Sequence, residues 1–180
     1  MEQFKYIYHQ LTTRIIILLL TGCILSTTGC GYHFSGGGQL PENITKICVQ
    51  VFENKTSESG LEHTIANEII NYVTRFENVK LVGKEEAQAT LTGVVQSSSI
   101  STIAHKSSYV SSERRIKIVV DVKLNSSKGD LLWKSGPTSE DETFQIDPDK
   151  MQTEENKKSA LAKISKKLAE RIYYRLTDNF

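Results

Sequence analysis

A cysteine behind a run of small residues, Thr27-Thr28-Gly29-Cys30, is the first place in this chain where residue types and spacing could do chemistry. A thiol there, after an apolar stretch and ahead of a polar chain, is placed for covalent lipid attachment once a leader is cleaved. Lys5 and Arg14 make the amino-terminal flank positive, and Ile15 to Leu25 is mostly Ile and Leu, broken by Thr21, Gly22 and Cys23. That run is shorter than the about 20 apolar residues a membrane-spanning helix needs. Cys23 competes for the lipid, since Leu20 stands three residues before it where Cys30 has Thr27. Cleavage before Cys23 would leave only about six apolar residues, short of the roughly 7 to 15 of a secretory leader. The longer run and the exit Ser26 to Gly29 favour Cys30. This reading divides the chain into a lipoprotein signal over 1–29, a lipidated anchor and tether over 30–42, and a folded domain over 43–180.

Phosphate pairing is the second chemistry the residues offer. Lys106, Arg114, Arg115 and Lys117 border a central hairpin, and Lys150 sits near the start of the last helix. Such groups make charge-assisted hydrogen bonds to a phosphate-bearing lipid. Glu113 and Asp121 are interspersed, and a solvated exterior uses the same residue types. The chain as a whole has 22 basic and 21 acidic residues, and 20 of each follow residue 29. That balance excludes a typical nucleic-acid binder, which needs a concentrated positive face.

Other chemistry finds little support. His33, His63 and His105 fall on different elements, without a metal-ligand spacing. Gly36 to Gly38 lacks the following Lys of a phosphate-binding loop. The pairs Glu85-Glu86 and Glu154-Glu155 suit a solvated face, and no nucleophile motif stands out. His33 could titrate near neutrality, while Tyr32 and Phe34 suit a lipid or protein boundary or a core contact. The expectation is a non-enzymatic protein without a cofactor or metal. With Cys30 lipidated, Cys48 is the remaining thiol of the mature chain, and its run Ile47-Cys48-Val49-Gln50-Val51 suggests a buried structural role.

The elements that must hold these residues follow from periodicity. Ile44 to Phe52 reads as a first strand. Ser59-Gly60-Leu61-Glu62 has capping-box spacing, with Ser59 as cap. Leu61, Ile65, Ile69, Tyr72, Val73 and Phe76 then recur at helical steps. Val79 to Val82 suggests a short strand and Ala87 to Ile100 a longer one, joined through Ser101 to Ser111 to the clearest strand of all. There Ile116, Ile118, Val120, Val122 and Leu124 face one way, and Arg115, Lys117, Asp121 and Lys123 the other. Ser127-Lys128-Gly129-Asp130 predicts a turn, and Leu131 to Phe144 a returning strand bent near Gly136-Pro137. Asp147 as cap and Pro148 in the first turn predict a last helix, with an apolar stripe through Ala160, Leu161, Ile164, Leu168, Ile172 and Leu176. The order predicts an α+β two-layer sandwich, with two helices packed on one face of a small, mostly antiparallel mixed β-sheet.

The segments Cys30-Gly31-Tyr32-His33-Phe34, Leu40-Pro41, Phe52-Glu53-Asn54-Lys55-Thr56, Ser59-Gly60-Leu61-Glu62 and Ala89-Thr90-Leu91-Thr92-Gly93, with the strand from Arg114 to Leu124, occur in a telling order. In that order the chain resembles the LptE family of lipopolysaccharide-assembly lipoproteins over nearly all of residues 30–180. The resemblance implies two helices on a small mixed sheet and a lipid anchor at Cys30, where the cysteine is followed by Gly and an aromatic-His pair. It also implies a place on the periplasmic side of the outer membrane, largely inside the LptD β-barrel, and a part in inserting lipopolysaccharide into the outer leaflet. Gly31 stands where an Asp would signal inner-membrane retention. Lys106 and Lys150 are the nearest matches to the family's lipopolysaccharide contacts, and Arg114 or Arg115 could replace the first. Expected partners are therefore LptD, lipopolysaccharide and the membrane. A generic periplasmic structural or ligand-binding lipoprotein without lipopolysaccharide transfer is the alternative, and co-purification with a large barrel separates the two.

Overall fold

Two long antiparallel strands run through the middle of the sheet and set the position of its other elements. The computed structural model describes residues 14, 40–75, 79–104 and 113–177. The chain divides into units 1–36 and 37–180, and all elements named below belong to the second. They are β1 (Lys46–Val49), β2 (Glu53–Asn54), α1 (Leu61–Val73), β3 (Lys80–Leu81), β4 (Ala89–Ala104), β5 (Glu113–Ser126), β6 (Leu131–Lys134), β7 (Thr138–Gln145) and α2 (Lys150–Thr177). The sheet order is β3-β1-β4-β5-β6, with β2 added to β4 and β7 to β5. Pairings among β1, β2, β3 and β4 are parallel, and those of β5 with β4, β6 and β7 are antiparallel.

The period of two along β5 is realised from Arg115 to Leu124. Ile116, Ile118, Val120, Val122 and Leu124 are each 0% exposed, while Arg115, Lys117 and Lys123 are open to solvent. Ala89, Leu91 and Val95 of β4 are buried on the same side. Both helices cover that side: α1 contributes Leu61, Ile65, Ile69, Tyr72 and Val73, and α2 contributes Ala160, Ile164, Leu168, Ile172 and Leu176. Leu161 is partly buried at the margin. Phe76 lies outside the described residues. Fully burying each such Leu or Ile stabilises by roughly 1.5 to 3 kcal/mol, so the shared apolar face suffices to choose this layering. The predicted α+β two-layer sandwich, with a mixed and mostly antiparallel sheet, is the observed architecture.

Local departures from the sequence reading have physical causes. Of the strand expected over Ile44 to Phe52, Lys46–Val49 forms as β1; it stops short of Phe52, whose ring fills the space above Gly93, and pairing with β4 resumes past the expected end as β2. Val49 pairs with Leu91 and Glu53 with Val94, so one extra residue is looped out between them. Phe52 is buried there, and Val51 is turned outward. The strand expected over Leu131 to Phe144 is likewise split at Gly136, which adopts φ 63°, and Pro137. Val122 would lose its ladder partner at the break, but its N–H donates to Ser135 Oγ at 2.9 Å and its carbonyl accepts from the Ser135 N–H at 2.8 Å.

Both helix starts differ from expectation. Gly60, in the left-handed conformation at φ 84°, caps α1 in place of Ser59, and no side-chain cap is made. Glu62 does not reach back to Ser59; it accepts from Asn54 Nδ2 at 2.6 Å. Bonds from its own N–H and from Asn54 hold the Glu62 carboxyl below its ordinary pKa. At α2, Asp149 takes the capping role expected of Asp147: its Oδ1 accepts from the Met151 N–H at 2.9 Å, and Pro148 lies before the helix. Asp147 Oδ1 instead accepts from the Asp149 N–H, which fixes the approach to the cap. β4 extends to Ala104, past the expected start of the connection, while residues 105–112 lie outside the described residues. Cys48, expected to be buried, is half-buried, because alternation turns it away from the core side that Ile47 occupies. Leu40 and Pro41 are buried, so the core takes in the end of the segment read as tether.

Charge locks α2 along β7. Lys167 Nζ lies 2.6 Å from Glu142 Oε2, Lys163 lies 3.9 Å from Glu142 Oε1, and Arg171 lies 2.5 Å from Glu140. The hydrogen bond from Lys167 holds the Glu142 carboxyl below its ordinary pKa, and the reciprocal bond holds the Lys167 ammonium above its own.

Two outcomes follow. A Cβ at position 93 would lie 2.6 Å from Phe52 Cζ, so Gly93→Ala should cost about 1 to 3 kcal/mol in urea unfolding through overpacking. In a Phe52→Ala background the same change should be neutral or favourable, because Gly inside a strand is disfavoured against Ala. A lowered carboxylate pKa stabilises the fold above the ordinary Glu value and loses that contribution as pH falls through the folded-state value. Thermal melts of the parent and Glu142→Gln should therefore differ most near neutrality and converge on acidification below about pH 4.3. The gap should not exceed about 1 kcal/mol, as befits a pair with one exposed partner.

Candidate functional site

The basic residues picked out by sequence divide between two faces of the sheet. Arg114 and Arg115 are neighbours in β5, and a strand turns adjacent side chains to opposite faces. Arg114, paired with Thr102 and Phe144, lies on the side of the helices beyond the buried Ile116. Arg115 lies on the open face with Lys117, and its Nε is 3.2 Å from Asp141 Oδ2. Lys150 is the first residue of α2 and is exposed. Ala104, Glu113 and Gln145 are aligned across β4, β5 and β7, and the segment after Gln145 leads directly into α2. Arg114, Arg115 and Lys150 thus share one end of the domain. Lys106 and Cys30 lie outside the described residues, as do Tyr32, His33 and Phe34.

A second group of basic residues, only partly legible in the sequence, lies further along the open face. Lys123 was visible there through alternation. Lys134 joins it only through the register, in which the two lysines stand opposite each other. Asp121 relieves that like-charge pair, with Lys134 Nζ at 3.4 Å from its Oδ2. Lys123 and Asp121 also border an open cleft of about 670 Å³ that reaches Gln50, Lys55 and Gln96. Lys55 is paired with Glu53 at 3.6 Å. Chemically, this face presents cationic donors interleaved with carboxylates and hydroxyls. It can hold phosphate or other polar groups through charge-assisted hydrogen bonds. Among the described residues, no three His, Cys, Asp or Glu side chains converge on a metal-sized site. Nor is any described helix long and apolar enough to cross a membrane.

Comparison with known proteins bears on the fold that carries these residues. Lipoprotein B from Nitrosomonas europaea has a solution structure that is 15% identical, with a TM-score of 0.52 over 82% of this chain and 91% of that one. The rare lipoprotein B from Shewanella oneidensis is 12% identical, with a TM-score of 0.50 over 74% of this chain and 95% of that one. A minor lipoprotein from Acinetobacter baumannii is 14% identical at a TM-score of 0.50, covering 76% and 92%. At these identities the likeness establishes the fold alone. No curated protein matches the chain. The family model for LptE, described as lipopolysaccharide-assembly, matches residues 44–176. That match covers most of the chain and runs from just before β1 almost to the end of α2, and the chain accordingly belongs to the LptE lipopolysaccharide-assembly family.

Proposed function

We propose that this chain is an outer-membrane lipoprotein, anchored on the periplasmic side through Cys30, that plugs the LptD β-barrel, supports its assembly and helps insert lipopolysaccharide into the outer leaflet. The observation that carries the reading is the family match across the whole two-layer domain. No bond is made or broken in this role. The domain acts through shape and charge. Its helices and the covered sheet face supply a rigid body, while the open face offers Ser97, Ser99, Ser101, Arg115 and Lys117. Outer-membrane barrels are polar inside, so such a face suits a lumen better than an apolar one would. Lys106 and Lys150 are the principal contacts to the lipid phosphates, and Arg114 and Arg115, at the same end of the domain as Lys150, add to them. At Cys30, two or more acyl chains hold the protein at the membrane where one would exchange.

Isolation from native membranes tests this directly. Intact mass should show a mature chain that begins at an acylated Cys30, together with a large barrel in stoichiometric amount. A free, unacylated chain with the leader attached would overturn the proposal. For the contacts, Lys106→Glu combined with Lys150→Glu should weaken lipopolysaccharide binding severalfold at ~0.05 M salt. The difference should shrink as the screening length falls to a few ångströms near ~1 M, and the barrel complex should persist throughout. Equal binding by parent and variant across the salt series would reject both residues as contacts.

A further inference from the structure

The free edges of this sheet are not protected alike. β3 is two residues long and includes Lys80, and β6 is four residues long and ends in Lys134. β7 carries Glu140, Asp141 and Glu142 and is preceded by Pro137. Short length, charge and proline are the usual means by which a strand edge is kept from pairing with another chain. The outer edge of β4 beyond Val95 is different. Gln96 to Ala104 contains no charged residue and no proline, and Ile100 and Ile103 are 43% and 42% exposed.

The local structure opens this edge at a defined point. Up to Val95 it is covered: the carbonyls of Leu91 and Val95 accept from the N–H groups of Gln50 and Lys55. Asn54 then turns the chain away. Its Oδ1 accepts from the N–H and hydroxyl of Thr56 at 2.9 and 2.8 Å, and its Nδ2 donates to the Glu58 carbonyl and to Glu62. Beyond that turn no described residue pairs with the outer edge of β4. The orientation of the backbone there follows from the register. Val122 exchanges its N–H and C=O with Ser135, so the even residues of β5 face β6 and β7. Ser98, Ile100 and Thr102 stand opposite Ile118, Ile116 and Arg114 and so turn their own N–H and C=O groups outward.

We infer that the edge of β4 from Gln96 to Ala104 is a docking site for one extended segment of a different polypeptide, alternately apolar and acidic, which adds to the sheet as a further strand. The backbone groups of Ser98, Ile100 and Thr102 supply the hydrogen bonds, as in other strand additions. Ile100 lies on the helix side and favours an apolar residue beside it. On the open side Lys117, level with Ser99, faces Asp141 across β7, but Asp141 is taken by Arg115 at 3.2 Å; Lys117 makes no ion pair among the described residues and favours a carboxylate on its β4 side. A second copy adding through the same β4 edge would bring only uncharged residues there, with no carboxylate to offer. The inference is independent of the barrel reading, since it concerns the kind of segment that binds and not which protein carries it.

Photocrosslinking of the full-length lipoprotein in its native envelope tests the inference. A photoreactive side chain at Ser98 or Thr102 should give adducts with one short segment of one partner, the two positions marking residues about four apart. The same group at Ser139 or Thr143, on the carboxylate-bearing β7, should give at least tenfold fewer adducts with that segment. Ile100→Pro removes an outward N–H and spares the β5 ladder, so it should lower the adduct yield at least tenfold while the melting temperature stays within a few degrees of the parent. If that variant does not fold, Ile100→Lys should give the same loss. Adducts with a second copy, with residues 1–39 of the same chain, or scattered over many proteins would each overturn the inference, as would their absence.

Discussion

Strict alternation along β5 is the constraint from which the rest of the domain follows. A one-residue slip would turn Ile116, Ile118, Val120, Val122 and Leu124 to solvent and bring Arg115, Lys117 and Lys123 inside. Because β5 is central, pairing with β4, β6 and β7, its single apolar face decides where both helices lie. The consequence for function is direct. Every charge that β5 offers on its odd positions belongs to the opposite face, so the core and the polar surface are two sides of one pattern.

That pattern was readable in the sequence, and so were its immediate dependents. The apolar stripes of α1 and α2, the turn at Gly129 and the interruption at Gly136-Pro137 depend on near neighbours in the chain, and near neighbours carry the signal. What sequence could not provide was contact between distant residues. Gly60 replaced Ser59 as a cap because Asn54, eight residues before Glu62, holds the carboxylate a capping box would use. Phe52 interrupted the first strand because Gly93 leaves room for its ring. The same limit applies to the candidate site. Lys123 and Asp121 were visible on the polar face, but Lys134 joined them in one charge group only through the β5–β6 register and the 3.4 Å contact. Arg114 and Arg115 look like one basic unit as text, yet strand geometry sends them to opposite faces.

A domain of this size with a single described thiol, Cys48, must be held by packing and charge. α2 illustrates how the two divide the work. Its apolar stripe is buried, but its flanks are rich in lysine and would hydrate equally well in any rotation about the helix axis. Glu140 and Glu142 of β7, on the helix side of the sheet, select one rotation by receiving Arg171, Lys163 and Lys167. Lys157 adds a link to Glu58 at 3.4 Å in the segment before α1. The basic partners of the α2–β7 pairs are solvent-exposed, and such pairs contribute little net energy, so their part is chiefly to fix orientation, with the magnitude of stability left to the core.

Placing acidic residues on β7 has a further effect. The carboxylates that orient α2 also make β7 a poor template for another strand, so one set of residues secures the helix and closes an edge. β4 has no equivalent duty at its far end, where Ile100 is only partly covered. An edge that supports no helix needs no charge for internal reasons. Its lack of charge over nine residues, Gln96 to Ala104, therefore leaves the usual protection of an edge unmet. In a family whose work is assembly and not catalysis, polarity and backbone pairing capacity are the means of action that such a fold provides. Both lie where the β5 alternation leaves the sheet uncovered, on its open face and at the far end of β4.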